Sequence, residues 1–324
     1  MAQVTGDPSM GAVGVPTPAT TDAAATSEPV LRVGERRANW TPYFFLAVPL
    51  ALYALWVIGP MFYTFYMSLT DADGISQSNW VGLENYRRLV DDRVFWISFW
   101  NNVKWLVAFI TIPTVAGLGL ALLLNNNLPG VRFFKAGFFS PMVLSSVVIA
   151  NVWGWMYFPT DGLINSTLSA LGYDGKRIGW LADFDLVTYA IIAAGIWRQI
   201  GYVMLIYLAG LKNVDPSLVD ASRTDGASAF QSFRDIVFPQ LQPVTVIVVV
   251  ISIIDALRAF DLVNLMTRGG PSNRSNVLAN MMYIESFNNY KMGYGAAIAV
   301  ILGLMSMIFI FTYLRHMVKN ELEY

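Results

Sequence analysis

The stretch Tyr202–Ile254, YVMLIYLAGLKNVDPSLVDASRTDGASAFQSFRDIVFPQLQPVTVIVVVISII, sets two apolar runs on either side of a polar, glycine-punctuated segment. Its middle predicts a pair of short helices. Asp215 is a favoured N-cap and Pro216 suits a first helical position, so a helix starts there and runs through Asp220 to about Thr224. Gly226 permits a sharp break, because glycine tolerates positive φ. Ser228 and Gln231 have the spacing of a capping box, which starts a second helix at once. In it Phe230, Phe233 and Val237 fall on one stripe flanked by Ile236, and Pro239 ends or kinks the helix. The expected product is a compact helix–turn–helix knob between two membrane spans. An interfacial helix lying on lipid is the competing reading. The knob carries acidic as well as basic groups and turns sharply at its glycine, which favours a protein partner.

Composition points to the membrane. Of 324 residues, 55% are hydrophobic and 13% charged, and mean hydropathy is +0.49. A soluble domain carries about 25% charged residues. The net charge of −1 offers no basic excess for nucleic acid. With no cysteine there is no disulfide, thiolate metal site or cysteine nucleophile, and the single His316 leaves little scope for imidazole sites or a Ser–His–Asp triad. Residues 1–38, rich in Ala, Thr, Pro and Gly, read as a disordered tail rather than a secretory signal. Residues 39–324 form the membrane domain.

A bilayer core of about 30 Å needs roughly 20 apolar residues in a helix. Six segments qualify, at about 43–69, 99–124, 136–158, 186–211, 243–266 and 294–316, with the polar loop 212–242 between the fourth and fifth. Arg36 and Arg37 precede the first span, which places both termini and the 212–242 loop in the cytoplasm. Trp80, Trp96, Trp180, Tyr173 and Tyr290 fall in the outer loops, where aromatic anchors belong. Gly295, Ala299 and Gly303 have small-xxx-small spacing for close helix packing, and Pro49, Pro60 and Pro113 predict kinks.

The segment DASRTDGASAFQSFRDIVFPQLQP resembles the EAA loop of binding-protein-dependent ABC transporter permeases. Asp220, Ala221 and Ser222 stand at the Glu-Ala-Ala positions, Gly226 at the glycine, and Ile236 and Pro239 at the closing positions. Asp for Glu, Ser for the second Ala and one extra residue before the proline are departures. VGLENYRRLVDD (81–92), residues 128–165, and FDLVNLMTRGGPSNRSNVLANMMYIESF (260–287) resemble further segments of the sugar-type permeases. The nearest subgroup is similar to the first permease subunit of maltose/glycerol-phosphate-type importers.

The resemblance implies an all-α type I ABC importer permease in a prokaryotic inner or plasma membrane. Six transmembrane helices would carry a cytoplasmic coupling helix-turn-helix between helices 4 and 5. It also implies partners: a second permease, two ABC ATPase subunits, an extracytoplasmic solute-binding protein and a sugar-like solute. Asp220, Ala221, Ser222, Arg223, Asp225, Gly226 and Ala227 would form the ATPase-docking knob, and Phe230 and Phe233 would fill a cleft on the ATPase. No residue is expected to be catalytic. ATP and Mg would belong to the ATPase, since this chain has no G-x-x-x-x-G-K-[ST] loop.

Ionisable residues inside spans are functional candidates. Arg198 falls in the fourth span, and Asp255, Arg258 and Asp261 recur at steps of three in the fifth. They read either as a self-neutralising ladder or as a polar pore face. With Trp197, Gln199 and Tyr202 they make up the expected solute path. An ion-coupled secondary carrier and a permease for a phosphorylated polyol are the alternative functions.

Overall fold

The computed structural model describes residues 41–126, 129–173 and 175–321. The tail 1–38 lies outside them. The regular elements of the described residues are all helical, with one isolated bridge between Thr70 and Trp80 and no strand.

Two compact units divide the chain at Tyr53. The first contributes α1 (Thr41–Tyr53), which contains Pro49 and exposes Phe44, Phe45 and Leu50. The second begins with a π turn, Ala54–Ile58, followed by α2 (Gly59–Met67) with Pro60 in its first turn. Proline lacks an N–H and crowds the carbonyl four residues back, and a π turn before it widens the backbone where that carbonyl would lie.

α3 (Glu84–Asp91) is amphipathic and buries Leu89 completely. Asn85 Nδ2 donates to the Ser68 and Thr70 carbonyls, pinning α3 to the end of α2. Asp92 caps α4 (Arg93–Leu124) by accepting from the Val94 N–H. α4 therefore starts at Arg93 rather than near residue 99. Pro113 sits inside this helix without ending it.

Where one third span was expected at 136–158, two helices stand, α5 (Val131–Val143) and α6 (Ser146–Met156), bent by 103°. Pro141 lies near the end of α5, Leu144 and Ser145 are extended, and Ser145 caps α6. α7 (Leu163–Ala170) is short, and α8 (Val187–Leu211) is unbroken and largely buried. α9 (Pro216–Thr224), α10 (Ala229–Ser232), a π turn at Phe233–Val237 and α11 (Phe238–Gln240) build the polar loop.

The expected fifth span is also broken, into α12 (Gln242–Leu257) and α13 (Asp261–Thr267), with Arg258 leaving helical geometry between them. α14 (Leu278–Tyr283), a π turn at Ile284–Asn288 and α15 (Met292–Glu321) complete the chain. Among the described residues four helices are long and apolar enough to cross a membrane, or five if the bent α5–α6 pair counts as one span.

α4 and α8 form the central pair, and the core has two parts. One gathers Trp105, Phe109, Ile191, Ile253, Leu257, Leu278 and Ile298. The other gathers Leu124, Met204, Tyr207, Leu241 and Val248 around the end nearest the polar loop. Close crossings need glycine. A Cβ on Gly201 would collide with the Phe138 carbonyl of α5, and one on Gly117 with Val203 of α8. The small-residue stripe of α15 divides: Gly295 abuts Ser286, whereas Gly303 faces open space.

Gly201→Ala should therefore destabilise the chain by about 1–3 kcal/mol through overpacking against backbone. Gly119→Ala, with nothing within 4 Å of the added carbon, should be neutral or stabilising by up to about 1 kcal/mol. Thermal unfolding of the two variants in one detergent measures the contrast.

Candidate functional site

Two places concentrate polar groups on this apolar frame. The first is the knob between α8 and α12. Asp215 caps α9, its carboxylate accepting from the Ser217 N–H at 2.8 Å and the Ser217 hydroxyl at 2.8 Å. These bonds, the hydroxyl first, hold the Asp215 carboxyl below the usual carboxylate range. Gly226 follows α9 at φ +85°. The Gly226 N–H reaches the Arg223 carbonyl and the Ala227 N–H the Ser222 carbonyl, the paired bonds of a Schellman end. Ser228 and Gln231 then close a reciprocal capping box.

The two helices of the knob are clipped together inside. Ser222 Oγ and Ser232 Oγ lie 2.7 Å apart, both buried. Serine at the second Ala position thus has a partner on the next helix. Gln240 closes the base: its Oε1 accepts from the Asp215 N–H at 3.2 Å and its Nε2 donates to the Ile236 carbonyl. The helix continues through Pro239 by way of the π turn at Phe233–Val237.

Val214 and Val237 pack against the Leu241–Tyr207 core, where Tyr207 also donates to Thr245 of α12 at 3.2 Å. The tip is left outside. Asp220, Ala221, Arg223, Asp225, Gly226 and Pro239 are exposed, and so is Phe230, at 70%. Ala227, Phe233 and Ile236 are half-buried. Phe233 meets Phe238 rather than Phe230, at 6.0 Å between centroids, so the expected aromatic stripe is split between a half-buried and an exposed ring. The Asp220–Arg223 pair, 3.4 Å apart and solvated, contributes little stability.

The second place is a cavity of about 240 Å³ among α4, α6, α8 and the α12–α13 break. Arg198, Asp255, Arg258 and Asp261 line it. The self-neutralising ladder, one of the two readings of the last three, is not formed among the described residues. The helix ends at Leu257, so the step from Arg258 to Asp261 is not a helical step, and no ion pair joins them among the described residues. Bridges come from elsewhere instead. Arg198 donates to Ser146 Oγ at 3.3 Å, and Ser146 donates to Asp261 Oδ2 at 3.3 Å. Gln199, behind the wall, donates to Asp255 Oδ2 at 3.0 Å.

Trp105 and Phe109 of α4 supply the cavity's aromatic surface, 5.1 Å apart, and the buried Trp105 indole N–H has no hydrogen-bond partner among the described residues. Trp197 lies elsewhere, edge-on to Trp153 at 5.9 Å and beside Phe138 and Pro141. Tyr202 is half-buried and not among the lining residues. Sequence reasoning missed Ser146, Trp105 and Phe109 because none has a distinguishing spacing to the charged residues it meets in the fold.

Residues 114–322 match the model of the family described as binding-protein-dependent transport system inner membrane component. The chain is 32% identical over 277 residues to the trehalose/maltose transport system permease protein MalF of Thermococcus litoralis, covering 84% of this chain and 92% of that one. It is 35% identical over 285 residues to the xylose/arabinose import permease protein XacH of Haloferax volcanii, covering 86% and 88%. A crystal structure of a bacterial ABC transporter that imports the acidic polysaccharide alginate shares its fold, with a TM-score of 0.75 over 86% of this chain and 96% of that one, at 18% identity. These matches set aside the ion-coupled secondary carrier. The chain belongs to the binding-protein-dependent inner membrane component family and is a multi-pass permease of an ABC importer.

Proposed function

We propose that this chain forms half of the translocation pathway for a carbohydrate or related solute, and that its 212–242 loop is where a separate ATPase drives it. The observation that carries this reading is the knob's construction. Its base is buried in the Leu241–Tyr207 core between α8 and α12, while its glycine turn and Phe230 stand free. A rigid lever with an apolar tip and a packed root transmits a push at the tip to both helices. On this reading Phe230 enters an apolar cleft on the ATPase and Asp220, Arg223 and Asp225 make polar contacts around it. ATP and Mg belong to that ATPase.

In the assembly this reading calls for, a second permease completes the pore, two ATPase subunits sit below, and an extracytoplasmic binding protein delivers solute. α12 and α13 together act as one broken span and α5–α6 as another, which makes six crossings with both termini in the cytoplasm. The sugar-import relatives support a polyhydroxylated solute. The cavity suits one: it offers an aromatic surface at Trp105 and Phe109, an unpaired indole N–H, and charged groups able to bond hydroxyls in pairs. A phosphorylated polyol is less well matched, because Asp255 and Asp261 face the same space as Arg198 and Arg258.

Three outcomes test this in vesicles containing the full transporter and its binding protein. Gly226→Trp should abolish ATP-driven uptake while the protein still inserts and assembles, since a side chain at φ +85° strains the turn; normal uptake would remove the docking role. Ser222→Ala alone should destabilise the knob by about 1–3 kcal/mol by stranding Ser232, while Ser222→Ala/Ser232→Ala should recover most of that loss. Hydrogen exchange across residues 219–235 reads the difference. Arg258→Ala should lower uptake roughly tenfold or more with ATPase assembly intact, and unchanged uptake kinetics would leave the cavity without a transport role.

A further inference from the structure

A groove unrelated to the central cavity runs between α4 and α8. At one end Arg93, Trp96, Trp100 and Lys104 recur along α4 at helical spacing and, with Arg274 and Tyr189, enclose about 420 Å³. Beyond Trp100, Lys104 and Tyr189, which border both parts, the groove widens to about 700 Å³ and becomes apolar, walled by Val107, Ile112, Ile192 and Ile196. It is thus cationic at one end and hydrocarbon-like at the other.

The cationic end is held in place. The Arg274 carbonyl accepts from Asn101 Nδ2 at 2.7 Å and from the Thr188 hydroxyl at 3.1 Å, which fixes its backbone against α4 and α8. Its guanidinium stacks over Phe184 at 5.8 Å, and the Lys104 ammonium stands 5.5 Å over Tyr189 and donates to Asn101 Oδ1. Arg93, Lys104 and Arg274 face this space with one carboxylate, Asp185. Among the described residues none of the three cations forms an ion pair. Trp96 and Trp100, both exposed, stand at the lip, as amphipathic rings do at a membrane interface.

We propose that this groove binds an anionic phospholipid, with its phosphate headgroup at Arg93, Lys104 and Arg274 and an acyl chain along Val107–Ile112 and Ile192–Ile196. Length and charge both match. From Lys104 to Ile112 α4 rises about 12 Å, close to the depth of one leaflet of a hydrocarbon core about 30 Å thick. A hydrophilic solute has nothing to bond in the apolar half. An apolar helix of another subunit would cover that half but leave the cations unmatched, a costly arrangement beside lipid.

The full transporter, purified and placed in bilayers of phosphatidylcholine alone or of phosphatidylcholine with phosphatidylglycerol, tests this. Lipids retained after delipidation are read by native mass spectrometry. The wild type should retain phosphatidylglycerol at least tenfold over phosphatidylcholine. Arg93→Gln/Lys104→Gln/Arg274→Gln should erase the preference. Ala193→Trp, which fills the apolar half and leaves every cation in place, should weaken retention of both lipids. Equal retention of the two lipids by wild type would overturn the proposal, and so would an undiminished preference in the triple variant. Displacement of the lipid by inorganic phosphate alone would do the same, since it would show an anion site without a tail. The chain has no cysteine, so Val107→Cys gives it one reactive thiol. Crosslinking from that thiol to a partner subunit instead of lipid would assign the groove to a protein interface and end the lipid reading.

Discussion

Irregular backbone inside an apolar bundle must find its hydrogen bonds within the protein, since hydrocarbon offers none. In this chain two neighbouring asparagines of α4 meet that demand. Asn101 Nδ2 donates to the carbonyls of Arg274 and Asn276, and Asn102 Oδ1 accepts the Leu278 N–H. Asn280 extends the set to Asn276 and Asn264. All of Asn101, Asn102, Asn276 and Asn280 are buried. This cluster ties the segment between α13 and α14 to the central helix pair. Through Asn264 it also ties α13 to α14. Arg274 is delivered to the α4–α8 groove by the Asn101 bonds.

The molecule keeps its polar functions at helix breaks. The central cavity forms where α12 gives way to α13 and where α5 turns into α6, so that Ser146, at the start of α6, can reach both Arg198 and Asp261. The knob forms where the chain leaves α8 and returns as α12, with Gly226 at the sharp turn between its helices and Pro239 carried inside the second of them. A continuous α-helix satisfies its own backbone and offers little else; a broken one presents charged side chains to a shared space. Cation, acid and hydroxyl are brought together in the cavity through hydrogen bonds, without direct ion pairs among them.

The knob was legible because its signals are local. Asp215 before Pro216, Gly226, and Ser228 three residues before Gln231 each act within a turn of chain, and each operates as its chemistry requires. What was not legible was which faces of that knob are covered. Phe230 and Phe233 share a helical stripe, yet Phe233, at the start of the π turn, is half-buried against Phe238 while Phe230 is exposed. The Ser222–Ser232 and Asp215–Gln240 bonds also escaped, because nothing in spacing singles out those partners.

By itself the sequence determined the apolar segments, the capped loop between two of them, and the family those motifs mark. Hydropathy and capping are properties of neighbouring residues, and they survive without knowledge of the fold. Tertiary structure alone decided where predicted spans break and which polar groups meet. Asp255, Arg258 and Asp261 have the spacing of one helix face, but the helix stops at Leu257. Asp261 instead bonds Ser146, 115 positions away, and Asn101 bonds the Asn276 backbone, 175 positions away. Contacts at such separations arise from packing of whole helices, and no periodicity along the chain records them.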